Sequence, residues 1–145
     1  MNVVRDLFAF LARLAIGLIF IAHGSQKFFV MGMDMVVQGF GQAGIPLAPV
    51  SAWFNALVEL VGGILFILGL FLPVVGVLLA INMLGALVLV HLPYGLFLPE
   101  GFEYVLTLLV TVLALGFNGG RWTLDQLIFA RRTRQPAREP ASPEV

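Results

Sequence analysis

The chain has 145 residues, 60% of them hydrophobic and 11% charged, with eight acidic and eight basic side chains. A soluble domain carries about 25% charged residues, so most of this surface suits hydrocarbon rather than water, and zero net charge excludes a nucleic-acid partner drawn in by a global field. Cysteine is absent, which excludes disulfides, thiol catalysis, iron–sulfur clusters and thiolate metal sites within this chain.

The first apolar run covers residues 7–29. At 1.5 Å per residue it reaches roughly 35 Å, enough to cross a bilayer. Its length, the interruption by Arg13 and the lack of an A-x-A site argue for a retained helix rather than a cleaved signal. Residues 30–49 read as an external connection. Within it, Asp34 is expected to cap a short interfacial helix carrying Met35, Val36, Val37 and Phe40. Gly44-Ile45-Pro46 ends that segment, and Pro49 suits the first turn of the next helix.

The second helix is expected over residues 50–72 and is broken by Pro73, with Gly69 and Gly76 on either side. The third covers 74–92, bounded by His91-Leu92-Pro93-Tyr94-Gly95. The fourth covers 102–117 and stops at Asn118-Gly119-Gly120; it is short for a span. Residues 121–130, with Arg121-Trp122 and then Leu124, Leu127 and Ile128, suit the lipid interface. Residues 131–145 are rich in Arg, Pro, Glu, Ala and Ser and cannot build a core, so a disordered basic tail is expected there. The fold class is therefore all-α: a polytopic membrane protein with a four-transmembrane-helix bundle over residues 1–130 and a short external interfacial helix.

Arg121, Arg131, Arg132, Arg134 and Arg138 follow the fourth helix and Arg5 precedes the first, whereas the 30–49 connection carries Asp34 and the next carries Glu100 and Glu103. The positive-inside rule then places both termini in the cytoplasm of a bacterial inner membrane and these two connections outside. Four spans satisfy that parity; three or five do not.

A Lys, Arg or Asp at a helix centre costs roughly 2.5–3.5 kcal/mol on insertion scales. The chain nevertheless places Arg13, His23, Gln26 and Lys27 in the first helix, Glu59 in the second, Asn82 and His91 in the third and Glu103 at the start of the fourth. At 100° per residue, Arg13, His23 and Lys27 fall within about 80° of one another, on the side of Gly17 and Gly24. Ala52, Ala56, Glu59 and Gly63 form one stripe, the small-residue face along which helices approach, so Glu59 is expected to point into the bundle. Glu103, Thr107 and Ala114 share a face of the fourth helix. Glu59 is expected roughly 13 Å, and His23 roughly 9 Å, below the outer surface, while Arg13 lies roughly 15 Å deeper than His23. A polar site of His23, Lys27, Glu59, His91 and Glu103, with Arg13, Gln26 and Asn82 as secondary members, is thus expected mainly in the outer half.

Each residue also has a plainer role. Glu59 and a first-helix cation can form an ion pair that only fixes register. Lys27 and Arg13 can snorkel to opposite surfaces. His91 can be interfacial, since on a straight helix it faces away from Asn82. Glu103 can satisfy helix-start N–H groups, and Asn82 can be packing glue.

Several stretches together resemble the DoxX family of small bacterial membrane proteins. They are Arg13 with Gly17-Leu18-Ile19-Phe20, His23-Gly24-Ser25-Gln26-Lys27, Gly44-Ile45-Pro46, Leu57-Val58-Glu59-Leu60-Val61-Gly62-Gly63, Gly69-Leu70-Phe71, His91-Leu92-Pro93-Tyr94-Gly95 and Phe102-Glu103-Tyr104. The resemblance implies a four-helix membrane bundle. It also implies kinship with proteins such as a subunit of thiosulfate:quinone oxidoreductase and a membrane partner of thiol-stress enzymes. One departure is Leu72-Pro73-Val74, where family members often have a polar or basic residue.

Three functions remain open on the sequence. The first is a redox-associated subunit whose outer site binds a quinone: His23 and Lys27 would hydrogen-bond its carbonyls, Glu59 or Glu103 would move the proton, and Phe20, Trp53 and Phe66 would line the walls. The second is a non-enzymatic scaffold that docks a partner through its basic tail. The third, a small-solute carrier, is disfavoured because no second inverted half with broken helices is present. The partners expected are the lipid bilayer, other redox subunits and further copies of the chain in a homo-oligomer. No metal site is expected, since Glu-x-x-His repeats are missing, and haem between His23 and His91 is set aside on helical phase.

Overall fold

The computed structural model describes residues 3–97 and 99–129; the basic tail expected over residues 131–145 lies outside them. Among the described residues the structure is helical, without strands. Helix α1 (Val3–Ser25) continues through a π-helical stretch, Gln26–Met31. Then follow α2 (Met33–Gln42), α3 (Ala48–Leu68) and α4 (Leu72–Ala86), the last prolonged by a π-helical stretch Leu87–His91 and a 3₁₀ turn Leu92–Tyr94. Helix α5 (Glu103–Phe117) and the short α6 (Leu124–Phe129) complete the chain. Three continuous helical stretches, Val3–Met31, Ala48–Leu68 and Leu72–Tyr94, are long and apolar enough to cross a membrane, and α5 is a shorter apolar helix.

Helix α1 packs along α3, and α4 along α5; α3 also packs against α4 and against α2. Small residues set both main seams. A Cβ on Gly17 would lie 2.9 Å from the Gly63 carbonyl oxygen, and one on Gly76 would lie 2.9 Å from the Val112 carbonyl oxygen and 3.0 Å from Gly116 Cα. Without an apolar driving force between helices in lipid, such backbone proximity is what makes packing favourable. The core runs between these seams through Phe20, Phe66, Leu79, Met83, Leu108 and Val112. The outward faces are apolar as well: Leu18, Val61, Val74 and Val110 are each about half exposed, the pattern of helices whose outer solvent is hydrocarbon.

The helix ends differ from the sequence expectation in instructive ways. Helix α3 stops at Leu68, five residues before Pro73. The terminator is Gly69, in the left-handed region at φ 69°, with its N–H turned back to the carbonyls of Leu65 and Phe66. Pro73 instead occupies the first turn of α4, where its missing N–H is harmless. Asp34 falls in the first turn of α2 rather than at its cap, which is Gly32. On α5 the buried face is Val105, Leu108, Val112 and Gly116. The face of Thr107 and Ala114 is exposed, and both Thr107 and Thr111 turn their hydroxyls to the carbonyl one turn back, 2.7 Å away. That intrahelical bond lets a threonine face lipid without an unsatisfied donor.

Candidate functional site

The two ends of the bundle treat their polar residues differently. At the end that carries the 32–47 and 95–102 connections, Lys27 donates to Glu59 Oε2, and the carboxylate is 5% exposed. Asn82 Nδ2 lies 3.4 Å from Glu59 Oε1, and Asn55 Nδ2 donates to Asn82 Oδ1 at 2.8 Å. Three helices thus contribute to one polar chain: Lys27 from the π-helical extension of α1, Asn55 and Glu59 from α3, and Asn82 from α4. Glu59 reaches this position because it shares the buried stripe of Ala52, Ala56 and Gly63. The stripe brings α3 close enough to α1 for a lysine to reach the carboxylate.

The chain borders a cavity of about 600 Å³, within the size range typical of small-molecule sites. Its walls are largely apolar, with Phe20, Phe54, Val105 and Leu108 among them, and His23, Lys27, Ser51, Asn55, Glu59, Asn82, His91 and Tyr104 contribute its polar side chains. His23 Nδ1 lies 2.9 Å from the Ile19 carbonyl oxygen, and His91 Nδ1 lies 2.9 Å from the Glu100 carbonyl oxygen.

Asn82 and His91 share this cavity although a straight α-helix would set them about 180° apart. The π-helical stretch Leu87–His91 accounts for the difference. A π-turn takes in an extra residue, worth about 100° of phase, and swings the following side chain around the helix. The objection to a shared site on grounds of phase therefore falls. The other π-helical stretch carries Lys27, so both departures from α-geometry adjoin the cavity.

Of the expected site residues, the structure gathers His23, Lys27, Glu59, Asn82 and His91 around this cavity; Gln26 is exposed and, like Glu103, lies outside the lining. Glu103 opens α5, with its backbone N–H bonded to Leu96 O at 3.0 Å. Asn55 was missed. It sits one turn before Glu59 on the same stripe, and that i, i+4 spacing was the available signal. Among the described residues no group of three or more His, Cys, Asp or Glu side chains is arranged to hold a metal ion.

Arg13 is at the opposite end. It is fully buried, donates to the Trp122 carbonyl oxygen, approaches the Ile67 carbonyl oxygen at 3.4 Å, and has its guanidinium carbon 5.8 Å from the Phe10 ring centroid. It does not snorkel. Around it Asp6, 6% exposed, accepts the Arg121 N–H at 3.1 Å. Asp125 accepts the N–H groups of Phe71 and Leu72 at 2.9 and 3.0 Å, capping α4 from a distant part of the chain. Thr123 Oγ1 accepts the Gln126 N–H at 3.2 Å and caps α6. Gly69 closes the arrangement, since a Cβ there would lie 2.2 Å from Arg13 Nη1 and 2.6 Å from Thr123 Cβ.

Long apolar helices with lipid-compatible faces, small-residue seams and buried charges held by protein partners define a polytopic helical membrane protein with a largely apolar cavity edged by polar side chains. Residues 8–92 match the DoxX family model, and the chain belongs to the DoxX family. It is 36% identical over 130 residues to the Bacillus subtilis (strain 168) protein named "Putative oxidoreductase CatD", covering 89% of this chain and 92% of that one. It is 39% identical over 139 residues to "Uncharacterized membrane protein Rv3486" of Mycobacterium tuberculosis (strain ATCC 25618 / H37Rv), covering 87% and 84% respectively. A protein of Haemophilus influenzae (strain ATCC 51907 / DSM 11121 / KW20 / Rd) is 32% identical over 132 residues, covering 88% and 95%. No solved structure matches the chain.

Proposed function

We propose that this DoxX family protein is a redox-associated subunit of the bacterial inner membrane that holds a quinone headgroup in its cavity. In this reading both termini are cytoplasmic and the cavity opens in the outer half of the bilayer. The transmembrane unit covers residues 1–130, followed by the arginine-bearing segment 131–145. The observation that carries the reading is the cavity of about 600 Å³, largely apolar and bordered by the Lys27–Glu59–Asn82–Asn55 chain and two imidazoles. A quinone needs an apolar slot for its ring, polar groups at its oxygens, and titratable groups nearby, because its two-electron reduction takes up two protons. The electrons come from a redox centre on a partner subunit, while Glu59 and the imidazoles of this chain hold or pass the protons. The Bacillus subtilis relative, named "Putative oxidoreductase CatD", points the same way.

The test is extraction and identification of the lipids that accompany gently purified protein, followed by titration with added quinone. Bound quinone is expected. Glu59→Gln should reduce it, and so should Gly85→Phe, which fills the cavity from a position where a Cβ meets nothing within 4 Å. Protein that carries no quinone and binds none when it is supplied overturns the reading. The orientation is tested separately with single cysteines, for which the cysteine-free chain is its own background. Leu96→Cys should react with an impermeant reagent from outside, and Arg121→Cys should not.

A further inference from the structure

Hydrogen-bond directions at the cavity specify which oxidation state of the ligand it fits, an argument that rests on the quinone reading. A carbonyl oxygen accepts and never donates. His23 Nδ1, 2.9 Å from Ile19 O, and His91 Nδ1, 2.9 Å from Glu100 O, therefore both carry a hydrogen. In a neutral imidazole the other nitrogen is then an acceptor. Both residues line the cavity, and neither Nε2 is engaged by a donor from the described residues. The cavity is thus offered two nitrogen lone pairs, fixed in tautomer by backbone.

Each neighbouring amide and ammonium group already donates to a protein acceptor, Ser51 Oγ donates to Pro46 O at 2.6 Å, and the Tyr104 hydroxyl, able to donate or accept, suits either oxidation state. Asn55 donates to Asn82, Asn82 faces Glu59 Oε1, and Lys27 donates to Glu59 Oε2. The bonds run one way and converge on the carboxylate, so the Lys27–Glu59 pair lining the cavity is closed on itself.

We propose that the cavity binds the reduced, hydroxyl-bearing form of the quinone in preference to the oxidised form, with the quinol O–H groups donating to Nε2 of His23 and His91. A quinone carbonyl would set its lone pairs against theirs, whereas a quinol hydroxyl supplies the missing hydrogen. Selectivity of this kind is a difference between two affinities and follows from the unpaired acceptors.

The experiment titrates the purified protein with decylubiquinol under argon and with decylubiquinone. The expected result is quinol bound at least tenfold more tightly, which raises the midpoint potential of the bound couple by about 30 mV per tenfold. Replacing either acceptor, by His23→Phe or His91→Phe, should bring the ratio of the two affinities towards one. Equal affinities in the unaltered protein, or tighter quinone, overturn this inference and leave the quinone reading intact. Failure of both forms to bind overturns both. The deciding ratio is measured on the unaltered chain, so it survives any variant that fails to fold.

Discussion

The two ends of the bundle bury ionisable side chains in opposite ways. At one end Arg13, Asp6 and Asp125 hydrogen-bond to backbone, the carbonyl of Trp122 and the N–H groups of Arg121, Phe71 and Leu72, with Arg13 Nε left unpaired. At the other end Lys27, Glu59, Asn82 and Asn55 are paired with one another, with Asn55 Oδ1 buried and unpaired, beside a cavity of about 600 Å³. A backbone group cannot leave, so a charge tied to it locks the chain. Side-chain partners can re-pair when a ligand arrives, so a network of them can bind and release protons or hydrogen-bonding ligands. The first arrangement suits a latch and the second suits a site.

That contrast breaks most visibly at Arg13. Arg13→Ala leaves the carbonyls of Trp122 and Ile67 without their donor and opens a void, and a loss of about 3–5 kcal/mol is expected. Thermal unfolding in detergent checks it. No second substitution should restore full stability, because the hydrogen-bond partners are main chain. Glu59→Leu alone should cost about 3 kcal/mol by stranding Lys27, but adding Lys27→Met should recover most of that loss while quinone binding stays impaired. Failure of the double variant to recover would place the cavity pair in the same class as the Arg13 latch.

Smaller effects sharpen the same division. Gly69→Ala should destabilise by about 1–3 kcal/mol, since φ is 69° and the added methyl meets Arg13 and Thr123. Asp125→Ala removes the acceptor from the first turn of α4 and should lower stability by about 1–2 kcal/mol. Both changes lie at the latch end and should leave affinity for quinone or quinol within about twofold. A large loss of affinity would show that the ends are coupled and not separate devices.

Much of the architecture could be read from residues alone. The apolar runs located the spans, and the Ala52–Ala56–Glu59–Gly63 stripe and the Gly17–Gly24 side of α1 correctly gave the buried faces. Those readings rest on regular α-helical phase, and they hold where the helix is regular. Straight-helix phase set His91, a candidate site residue, opposite Asn82, and that phase does not apply because Leu87–His91 is π-helical. A local pattern does not announce where a helix takes in an extra residue.

Partners were harder to read than faces. Snorkelling, the plainer role read for Arg13, failed because its partner carbonyl, Trp122, is 109 residues away in the chain. Asp6 and Asp125 were not singled out at all, since each serves N–H groups that no local pattern links to it. The Thr123–Gln126 cap and Asn55, in contrast, carried local signals: a Thr-x-x-Gln spacing and an i, i+4 relation to Glu59.

The amino-acid sequence by itself determined that this chain lives in hydrocarbon, how its helices are spaced, and that Glu59 faces inward. Each of these follows from transfer free energy and helical periodicity, which act residue by residue. Only the tertiary structure decided which charge meets which partner, which end closes on backbone and which encloses a cavity. Those outcomes depend on close approach between segments remote in the chain, and on two π-turns whose phase shift exists only once the helices are packed.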